Sequence, residues 1–431
     1  MKFHSLNDPT LRISFNEAVI AGIAPDRGLF FPEEIKPLPG DFFENIGSLS
    51  PQEIAFAAIH QFVGEDLPDA TLRDILARTL DFGFPLVELT GDIAALELFH
   101  GPTMAFKDVG ARFMANCLGH FSQGEKQDIT VLVATSGDTG GAVANGFLDV
   151  GGVKVVILYP SGKVSDIQEK QLTTLGSNIE AMEVQGSFDD CQEMVKTAFL
   201  DPQIRGRRKL TSANSINVAR WLPQMFYFLF AYGQAKEKGR EIVFSVPSGN
   251  FGNLCAGMVA QKLGMPVKHF VAATNVNDVV PRFLKDGQYS PLPSMATISN
   301  AMDVGDPSNF VRIRHLYRED LSTLRANLSS HSFTDSRTRG AIREVYEKTS
   351  YVMDPHGAVG YLGLREHQKS HPGTFGIFLE TAHPVKFRDV VEGTLGLDLP
   401  IPAQIQKVMG GQKKSFPIAT YGELKEHLLG H

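Results

Sequence analysis

Cysteine and tryptophan are scarce in this chain, which has three cysteines and one tryptophan among 431 residues. Cys117, Cys191 and Cys255 stand far apart without a paired spacing, so the sequence predicts neither a disulfide framework nor a thiolate metal site. Long apolar runs are also missing: residues 224–232 are too short to span a bilayer, and residues 1–15 lack the apolar core of a signal peptide. We therefore expect a cytoplasmic protein without a membrane partner.

An excess of positive charge is likewise absent. The chain has 41 Lys and Arg against 48 Asp and Glu, a formal net charge of −7 and a pI of about 6.0. This balance argues against a surface that binds nucleic acid and favours a small molecule as the partner. Hydrophobic residues make up 43% and charged residues 21% of the chain, as in an ordinary folded protein, and its length leaves room for two or three domains.

Strand-like and helix-like segments alternate through the middle of the chain. Apolar runs of strand length occupy residues 129–135, 153–159, 179–185, 242–246, 267–274 and 374–379, and helical patterns occupy residues 142–148, 166–175, 188–200 and 254–263. This alternation predicts an α/β fold with parallel sheets wrapped by helices, because parallel strands need crossover connections.

The same patterns suggest where the regions of the chain begin and end. We expect an N-terminal accessory region at residues 1–95, a smaller α/β domain at 96–235, a larger α/β domain at 236–400 and a C-terminal extension at 401–431. Helices are predicted at residues 51–63 and 69–79 in the accessory region, and a long aromatic helix at residues 218–236. Residues 289–309, rich in Pro, Ser and Asn, predict an ordered loop system or a lid.

One lysine stands where a loop meets a predicted helix. The segment reads LFHGPTMAFKDVGAR from residue 98 to 112, with turn residues before Lys107 and small or apolar residues after it. Taken alone, such a lysine is most often a surface residue with a buried aliphatic stem. If Lys107 is instead partly desolvated, its pKa falls and its free amine can attack an aldehyde to form a Schiff base.

Two glycine-containing turns lie between a predicted strand and a predicted helix. The first, SGNFGN at residues 248–253, offers backbone N–H groups and a helix N-terminus to a phosphate. The second, TSGDTGG at residues 135–141, lies where α/β sheets expose ligand-binding loops. In isolation each turn is equally typical of a capped helix start. The first turn has neither the ending of a P-loop nor the spacing of a dinucleotide motif, which counts against ATP and NAD.

Three further features carry less information. Residues 214–220 combine amides, a hydroxyl and a guanidinium, which suits a phosphorylated substrate but is as typical of a solvated helix start. The basic residues 205–209 are typical of a solvated face. His356 and His383 adjoin Pro or Gly and match no zinc spacing, and single histidines are more often structural than catalytic.

Together these motifs resemble the threonine synthase family, which consists of pyridoxal-phosphate enzymes of fold type II, the tryptophan synthase β-like group. The resemblance rests on ELFHGPTMAFKD at residues 97–108, ATSGDTG at 134–140, VPSGNFGN at 246–253 and LETAHP at 379–384, and it extends to residues 28–32, 214–220, 275–283 and 299–303. It therefore spans nearly the whole chain. It implies two parallel-sheet domains with pyridoxal 5′-phosphate (PLP) between them, and no metal.

The resemblance also implies which residues form the site. Lys107 is expected to be the catalytic lysine that binds the aldehyde of PLP. The other expected cofactor-binding residues are Gly249, Asn250, Phe251, Asn253 and Thr381, with the Thr381 hydroxyl facing the pyridine nitrogen. The expected substrate-binding residues are Ser136, Asp138, Thr139, Ser215, Asn217, Arg220 and Thr103.

The implied reaction converts O-phospho-L-homoserine and water to L-threonine and phosphate, the last step of threonine biosynthesis. One alternative is another fold type II lyase, such as a serine/threonine dehydratase or a phosphohomoserine phospho-lyase; another is a non-catalytic PLP-binding or metabolite-sensing protein. The expected phosphate-binding residues count against a dehydratase, and an intact Lys107 and Thr381 count against a non-catalytic protein. We expect a monomer or a homodimer, without the added N-terminal regulatory segment of plant relatives.

Overall fold

The computed structural model describes residues 1–124 and 127–430. Within these residues the chain forms three sheets, with helices packed around them. None of the helices in this part of the chain is both long and apolar enough to cross a membrane.

The strands of the described residues are numbered in chain order. They are β1 (Phe3–Ser5), β2 (Arg12–Ile13), β3 (Phe30–Pro32), β4 (Leu86–Thr90), β5 (Ile93–Glu97), β6 (Ile129–Ala134), β7 (Val153–Pro160), β8 (Ile179–Val184), β9 (Lys209–Thr211), β10 (Ile242–Pro247), β11 (His269–Thr274), β12 (Leu328–Ser332), β13 (Phe375–Glu380) and β14 (Phe416–Ile418).

The α-helices are numbered in the same way. They are α1 (Phe15–Ala21), α2 (Gly40–Asn45), α3 (Pro51–Val63), α4 (Asp69–Thr79), α5 (Lys107–Phe121), α6 (Asp138–Gly146), α7 (Asp166–Thr173), α8 (Phe188–Leu200), α9 (Pro202–Arg205), α10 (Val218–Trp221), α11 (Met225–Ala235), α12 (Gly252–Lys262), α13 (Val279–Asp286), α14 (Phe310–Leu316), α15 (Leu321–Asn327), α16 (Asp335–Thr349), α17 (Pro355–Ser370), α18 (Arg388–Leu395), α19 (Ala403–Met409) and α20 (Tyr421–Leu429).

The larger sheet has six strands in the order β12-β11-β10-β13-β5-β4. Its neighbouring strands run parallel, except for the antiparallel edge pair of β4 and β5. Strands β10 and β13 are buried at every position, which explains their nearly continuous apolar sequences, IVFSVP and FGIFLE. Because β5, β10 and β13 are parallel, the loops that follow them meet at one edge of the sheet.

The second sheet has five parallel strands in the order β14-β8-β7-β6-β9. A small antiparallel sheet of β1, β2 and β3 lies near the N-terminus. Helices lie between the parallel strands of both larger sheets in the chain, because parallel strands need crossover connections. The α/β fold with two parallel-sheet layers, predicted from the sequence, is confirmed.

The bounds of several helices match those predicted from the sequence. Helices α3, α4 and α8 begin and end at the expected residues. The prediction of one helix over residues 218–236 is wrong, because a 3₁₀ turn at Leu222–Gln224 separates α10 from α11. Pro223 lies in this turn and has no N–H to continue the helical hydrogen bonds. Strand β5 crosses the expected boundary at residue 95, and the division of the chain into four regions stays a prediction.

Candidate active site

The loop between β5 and α5 places Lys107 beside the end of β13. The backbone N–H of Phe106 donates to the carbonyl of Thr381 at 2.8 Å. Met104, in the middle of this loop, has a φ of 58°, a left-handed conformation that costs a non-glycine residue about 1–3 kcal/mol and is common at functional sites. The loop therefore turns back across the sheet edge, so that Lys107, the first residue of α5, and Thr381 are neighbours.

The amine of Lys107 has no hydrogen-bond or ion-pair partner among the described residues, and its Nζ lies 5.8 Å from the centre of the Phe106 ring. Burial lowers the pKa of Lys107, the Asp138 carboxylate raises it, and the cations Lys386 and Arg220 lower it further. Desolvation outweighs the single carboxylate, so the net shift is downward. A partly buried amine with a lowered pKa and no hydrogen-bond or ion-pair partner among the described residues is suited to attack an aldehyde and to move protons.

The turn between β10 and α12, residues 248–253, forms what we call the phosphate bend. Phe251, at its centre, has a φ of 61°, again the left-handed conformation. The next residues begin an eleven-residue helix, so N–H groups and the positive end of the helix dipole point into the bend. The side chain of Asn253 is buried, and neither its amide oxygen nor its amide nitrogen has a hydrogen-bond partner among the described residues. An anion with several acceptor oxygens would accept from the Asn253 amide nitrogen and from the backbone N–H groups, so the bend fits the phosphate of PLP.

Gly249 is the point of closest approach in the phosphate bend. A Cβ atom at this position would lie 2.7 Å from the Cα of Met302 and 2.8 Å from the carbonyl oxygen of Ala301. Only glycine therefore permits residues 299–303 to pack on the bend. Asn250, which is exposed, accepts hydrogen bonds from the backbone N–H and the hydroxyl of Ser308 at 2.8 and 2.7 Å.

A third turn enters the site from the second sheet, at the end of β6. Ser136 and Thr139 are partly exposed in this turn, and Asp138, the first residue of α6, is buried. One oxygen of Asp138 accepts from the Lys386 ammonium at 2.7 Å and from the Gln168 amide at 3.0 Å. Burial alone would raise the pKa of Asp138, but Lys386 and Lys107 outweigh burial and hold the pKa well below its usual range. The turn thus supplies one buried carboxylate to two amines.

Arg220 and Ser215 remain available for a further anion. Arg220 is 3% exposed, and the Nε of its guanidinium has no hydrogen-bond partner in the part of the chain that the structure describes. It is close enough to lower the pKa of Lys107, and burial lowers its own pKa to about 10. Ser215 Oγ accepts a hydrogen bond from the amide of Asn309 at 3.2 Å, which leaves its own proton free to donate. A phosphate ester held here would lie near Lys107.

Asn217 and Thr103 use their polar atoms within the protein. The amide oxygen of Asn217 caps α10 by accepting from Ala219 N at 3.0 Å, and its amide nitrogen donates to two backbone carbonyls. The hydroxyl of Thr103 donates to Asp108 at 2.5 Å. Asp108 is buried, and burial raises its pKa to about 6. The expected substrate-binding roles of Asn217 and Thr103 stay predictions.

Two buried cations at or near the site were not predicted from the sequence. Lys386 is 2% exposed, and its ammonium donates to the carbonyl of Thr103 at 2.9 Å as well as to Asp138. Arg312 is fully buried on α14, where its guanidinium stacks 4.3 Å from the Trp221 ring and binds the carbonyl of Ser215 and the amide oxygen of Asn309. The sequence gives one weak signal for Lys386, a lysine within the apolar segment that follows Thr381, and none for Arg312. Within residues 1–124 and 127–430, no group of three or more His, Cys, Asp or Glu side chains is arranged to hold a metal ion.

Three family descriptions match the sequence, and two of the matched stretches overlap at residues 357–379. The family described as "Pyridoxal-phosphate dependent enzyme" matches residues 85–379. The families described as "Threonine synthase N terminus" and "Threonine synthase, C-terminal" match residues 2–80 and 357–426. The first match includes the loop between β5 and α5 that carries Lys107, the phosphate bend and the turn after β6 that carries Ser136.

Whole-chain relatives agree with these matches. The threonine synthase of Escherichia coli (strain K12) is 45% identical over 438 residues, with all of both chains covered. A crystal structure of threonine synthase from Escherichia coli aligns with all of both chains at a TM-score of 0.92 and 42% identity. A crystal structure of PLP-bound threonine synthase from Brucella melitensis aligns with all of this chain and 99% of that one, at a TM-score of 0.94 and 32% identity. The chain therefore belongs to the threonine synthase family of pyridoxal-phosphate-dependent enzymes.

Proposed function

We propose that this protein converts O-phospho-L-homoserine and water to L-threonine and phosphate, with PLP bound covalently by Lys107. Family membership supports the reaction. The observation that carries the proposal is the position of the Lys107 amine, which is partly buried, has no hydrogen-bond or ion-pair partner among the described residues and lies beside Thr381. Asn253, with two unpartnered amide atoms, lies at the same sheet edge.

Different residues of the site would bind different parts of the cofactor. Lys107 would hold its aldehyde, and Gly249, Asn250, Phe251 and Asn253 would hold its phosphate. Thr381 would place a neutral hydroxyl at the pyridine nitrogen, which leaves that nitrogen less firmly protonated than a carboxylate would. When bound, PLP supplies an electron sink that stabilises negative charge next to the amino carbon of the substrate.

Lys107 is the proposed proton carrier. Its lowered pKa favours the free amine, which takes protons from Cα and Cβ; protons return to Cγ, from which phosphate leaves, and to Cα, while water adds at Cβ. The Asp138 carboxylate, fixed by Lys386 and Gln168, stabilises the ammonium form of Lys107 each time the lysine holds a proton. A lysine whose pKa is lowered by burial and raised by a carboxylate is suited both to accept and to donate protons.

The substrate phosphate, which leaves from Cγ, is proposed to bind Arg220 and Ser215. A guanidinium forms charge-assisted hydrogen bonds to phosphate oxygens, and the unpartnered Nε of Arg220 is available for one of them. Ser136, Asp138 and Thr139 would lie near the substrate carboxylate. Asn217 and Thr103 are proposed to contribute to the same phosphate site.

The experiment is a product assay on the purified protein. After O-phospho-L-homoserine is added, phosphate, L-threonine and 2-oxobutyrate are measured in the same reaction. Equal amounts of phosphate and threonine are expected from the wild type, and neither from Lys107→Ala. Phosphate with 2-oxobutyrate but no threonine would instead establish a phospho-lyase, and binding without any product would establish a non-catalytic protein.

The remaining parts of the proposal concern the whole chain. We propose that the protein works in the cytoplasm on a small-molecule substrate, as a monomer or a homodimer, without nucleic acid. We also propose the division into residues 1–95, 96–235, 236–400 and 401–431, in which the second region carries the PLP lysine and the third carries the phosphate bend. Residues 289–309, which lie beside the bend, would exclude water from the site while substrate is bound.

A further inference from the structure

We propose that His356 is a positioning residue, which holds residues 299–303 against the phosphate bend and so fixes the shape of the cofactor site. This inference rests on the proposed function, because it assumes that the bend binds the phosphate of PLP. His356 is 3% exposed and lies in the first turn of α17, outside the bend itself.

The hydrogen bonds of His356 assign its protonation. The backbone N–H of Ala301 points to Nε2 of His356 at 3.2 Å. A backbone N–H can only donate, so Nε2 must be the acceptor and carries no proton. The other ring nitrogen, Nδ1, lies 2.6 Å from Oδ1 of Asp354 and therefore carries the proton that it donates to this carboxylate. His356 is thus a neutral imidazole that joins Asp354 to Ala301.

Residues 299–303 form a wall of the phosphate bend. Met302 and Ala301 lie so close to Gly249 that a methyl group there would contact both. Both ends of this wall are held by Asn275, whose Nδ2 donates to Ser299 Oγ at 3.2 Å and to Asp303 Oδ1 at 2.8 Å. The hydrogen bond from Ala301 to His356 is the tie in the middle of the wall, next to Gly249. Loss of that tie would let the middle of the wall move away from the bend.

The anchor of His356 is itself rigid. Asp354 caps α17, since its Oδ1 accepts from the backbone N–H of His356 at 2.8 Å and its Oδ2 from that of Gly357 at 3.2 Å. The backbone N–H of Asp354 donates to Glu380 at 3.3 Å. Glu380 directly precedes Thr381, so one hydrogen-bonded path connects the strand end at the cofactor ring with the wall at the cofactor phosphate.

Two substitutions of His356 separate the two hydrogen bonds. In His356→Gln the longer side chain can place an amide oxygen near the position of Nε2 and accept from Ala301. In His356→Asn the shorter side chain reaches the position of Nδ1, so it can donate to Asp354 but cannot reach Ala301. The two amides match in polarity, and only the contact with the wall differs.

The first measurement is the dissociation constant of the full-length protein for PLP, and for pyridoxal, which lacks the phosphate, by fluorescence titration. We expect His356→Asn to bind PLP about tenfold more weakly than the wild type, the loss of roughly one buried hydrogen bond, and His356→Gln to stay within about twofold. Binding of pyridoxal should be the same in all three proteins. Equal PLP binding by all three, or equal weakening by both variants, would overturn the proposal.

The second measurement needs no variant. In the ¹⁵N NMR spectrum of histidine-labelled wild-type protein, we expect His356 to show a protonated Nδ1 and an unprotonated Nε2 that is coupled across the hydrogen bond to the Ala301 amide. A proton on Nε2, or no coupling, would overturn the proposal even if a variant failed to fold. Failure of the proposed function has a different signature, a wild-type protein that binds no PLP and forms no threonine.

Discussion

The buried ion pair between Lys386 and Asp138 allows a prediction with a defined magnitude. In Lys386→Met the aliphatic stem keeps its volume, but Asp138 loses the cation that lies 2.7 Å away. Removing one partner of a buried pair costs about 3–5 kcal/mol, because the remaining charge stays in a poorly solvated position. We therefore expect the free energy of unfolding to fall by about 3–5 kcal/mol. The pKa of Asp138 should then rise, because only Lys107 and the hydrogen bond from Gln168 remain to oppose the effect of burial.

Urea unfolding at neutral pH checks this value. Lys268→Met is the matched control, because Lys268 also forms a short ion pair, of 2.9 Å with Glu241, but both of its side chains are exposed. Exposed pairs contribute at most about 1 kcal/mol, so the control should change little. Adding Asp138→Asn to Lys386→Met should restore part of the loss, because it removes the unpaired charge. Equal losses in Lys386→Met and Lys268→Met, with no recovery in the double variant, would refute the reasoning.

Two further predictions concern the phosphate bend and the response to acid. Gly249→Ala should weaken PLP binding at least about tenfold, because its new methyl group would lie 2.7 Å from Met302 Cα. Gly83→Ala is the control and should have no effect, because no atom of the described residues lies within 4 Å of a methyl group there. A fluorescence titration in which both variants bind alike would contradict this. Burial lowers the pKa of both His269 and His367 from 6.5 to about 4, so below pH 6.5 the unfolded chain takes up protons that the folded chain does not. Between pH 7 and 5 the free energy of unfolding of the wild type should fall by about 2 kcal/mol more than that of a His269→Gln/His367→Gln variant, after allowance for partial solvation. Equal losses in urea titrations would contradict the lowered pKa of these two histidines.

Local sequence patterns carried much of the fold. Ser50 with Glu53 forms a capping box, and Gly64 follows the end of α3, so the bounds of this helix are encoded within a few residues. Continuous apolar runs at β6, β10 and β13 likewise identify strands that are buried on both faces. These signals need no knowledge of distant contacts.

The sequence predicted less well wherever a distant contact decides the outcome. Strands β4 and β5 lack helix–strand alternation, and they become part of the larger sheet only because β5 pairs with β13, nearly three hundred residues later. Here the tertiary structure decides the outcome. The break at Pro223 is different, because it is local: the aromatic composition of the segment favours a single helix, but proline has no N–H to continue the helical hydrogen bonds.

The candidate site shows the same division. Lys107, Asp138 and Asn253 were found because each stands in a motif, and motifs survive in the linear sequence. Lys386 and His356 act through partners that are far away in the chain, Asp138 and Ala301. The sequence does not specify these roles, because a lysine after an apolar segment or a histidine beside a proline can occur in many environments. Only the folded structure shows which groups they contact.

The central claim is that Lys107 binds PLP covalently. It is tested most directly by treating the PLP-containing protein with borohydride, digesting it and identifying the labelled peptide by mass spectrometry. Borohydride converts the link between a lysine and the cofactor aldehyde into a stable secondary amine. We predict one labelled site, Lys107. A label on Lys386, the other lysine of the site, would contradict the account. The absence of any label in protein that has bound PLP would contradict it as well.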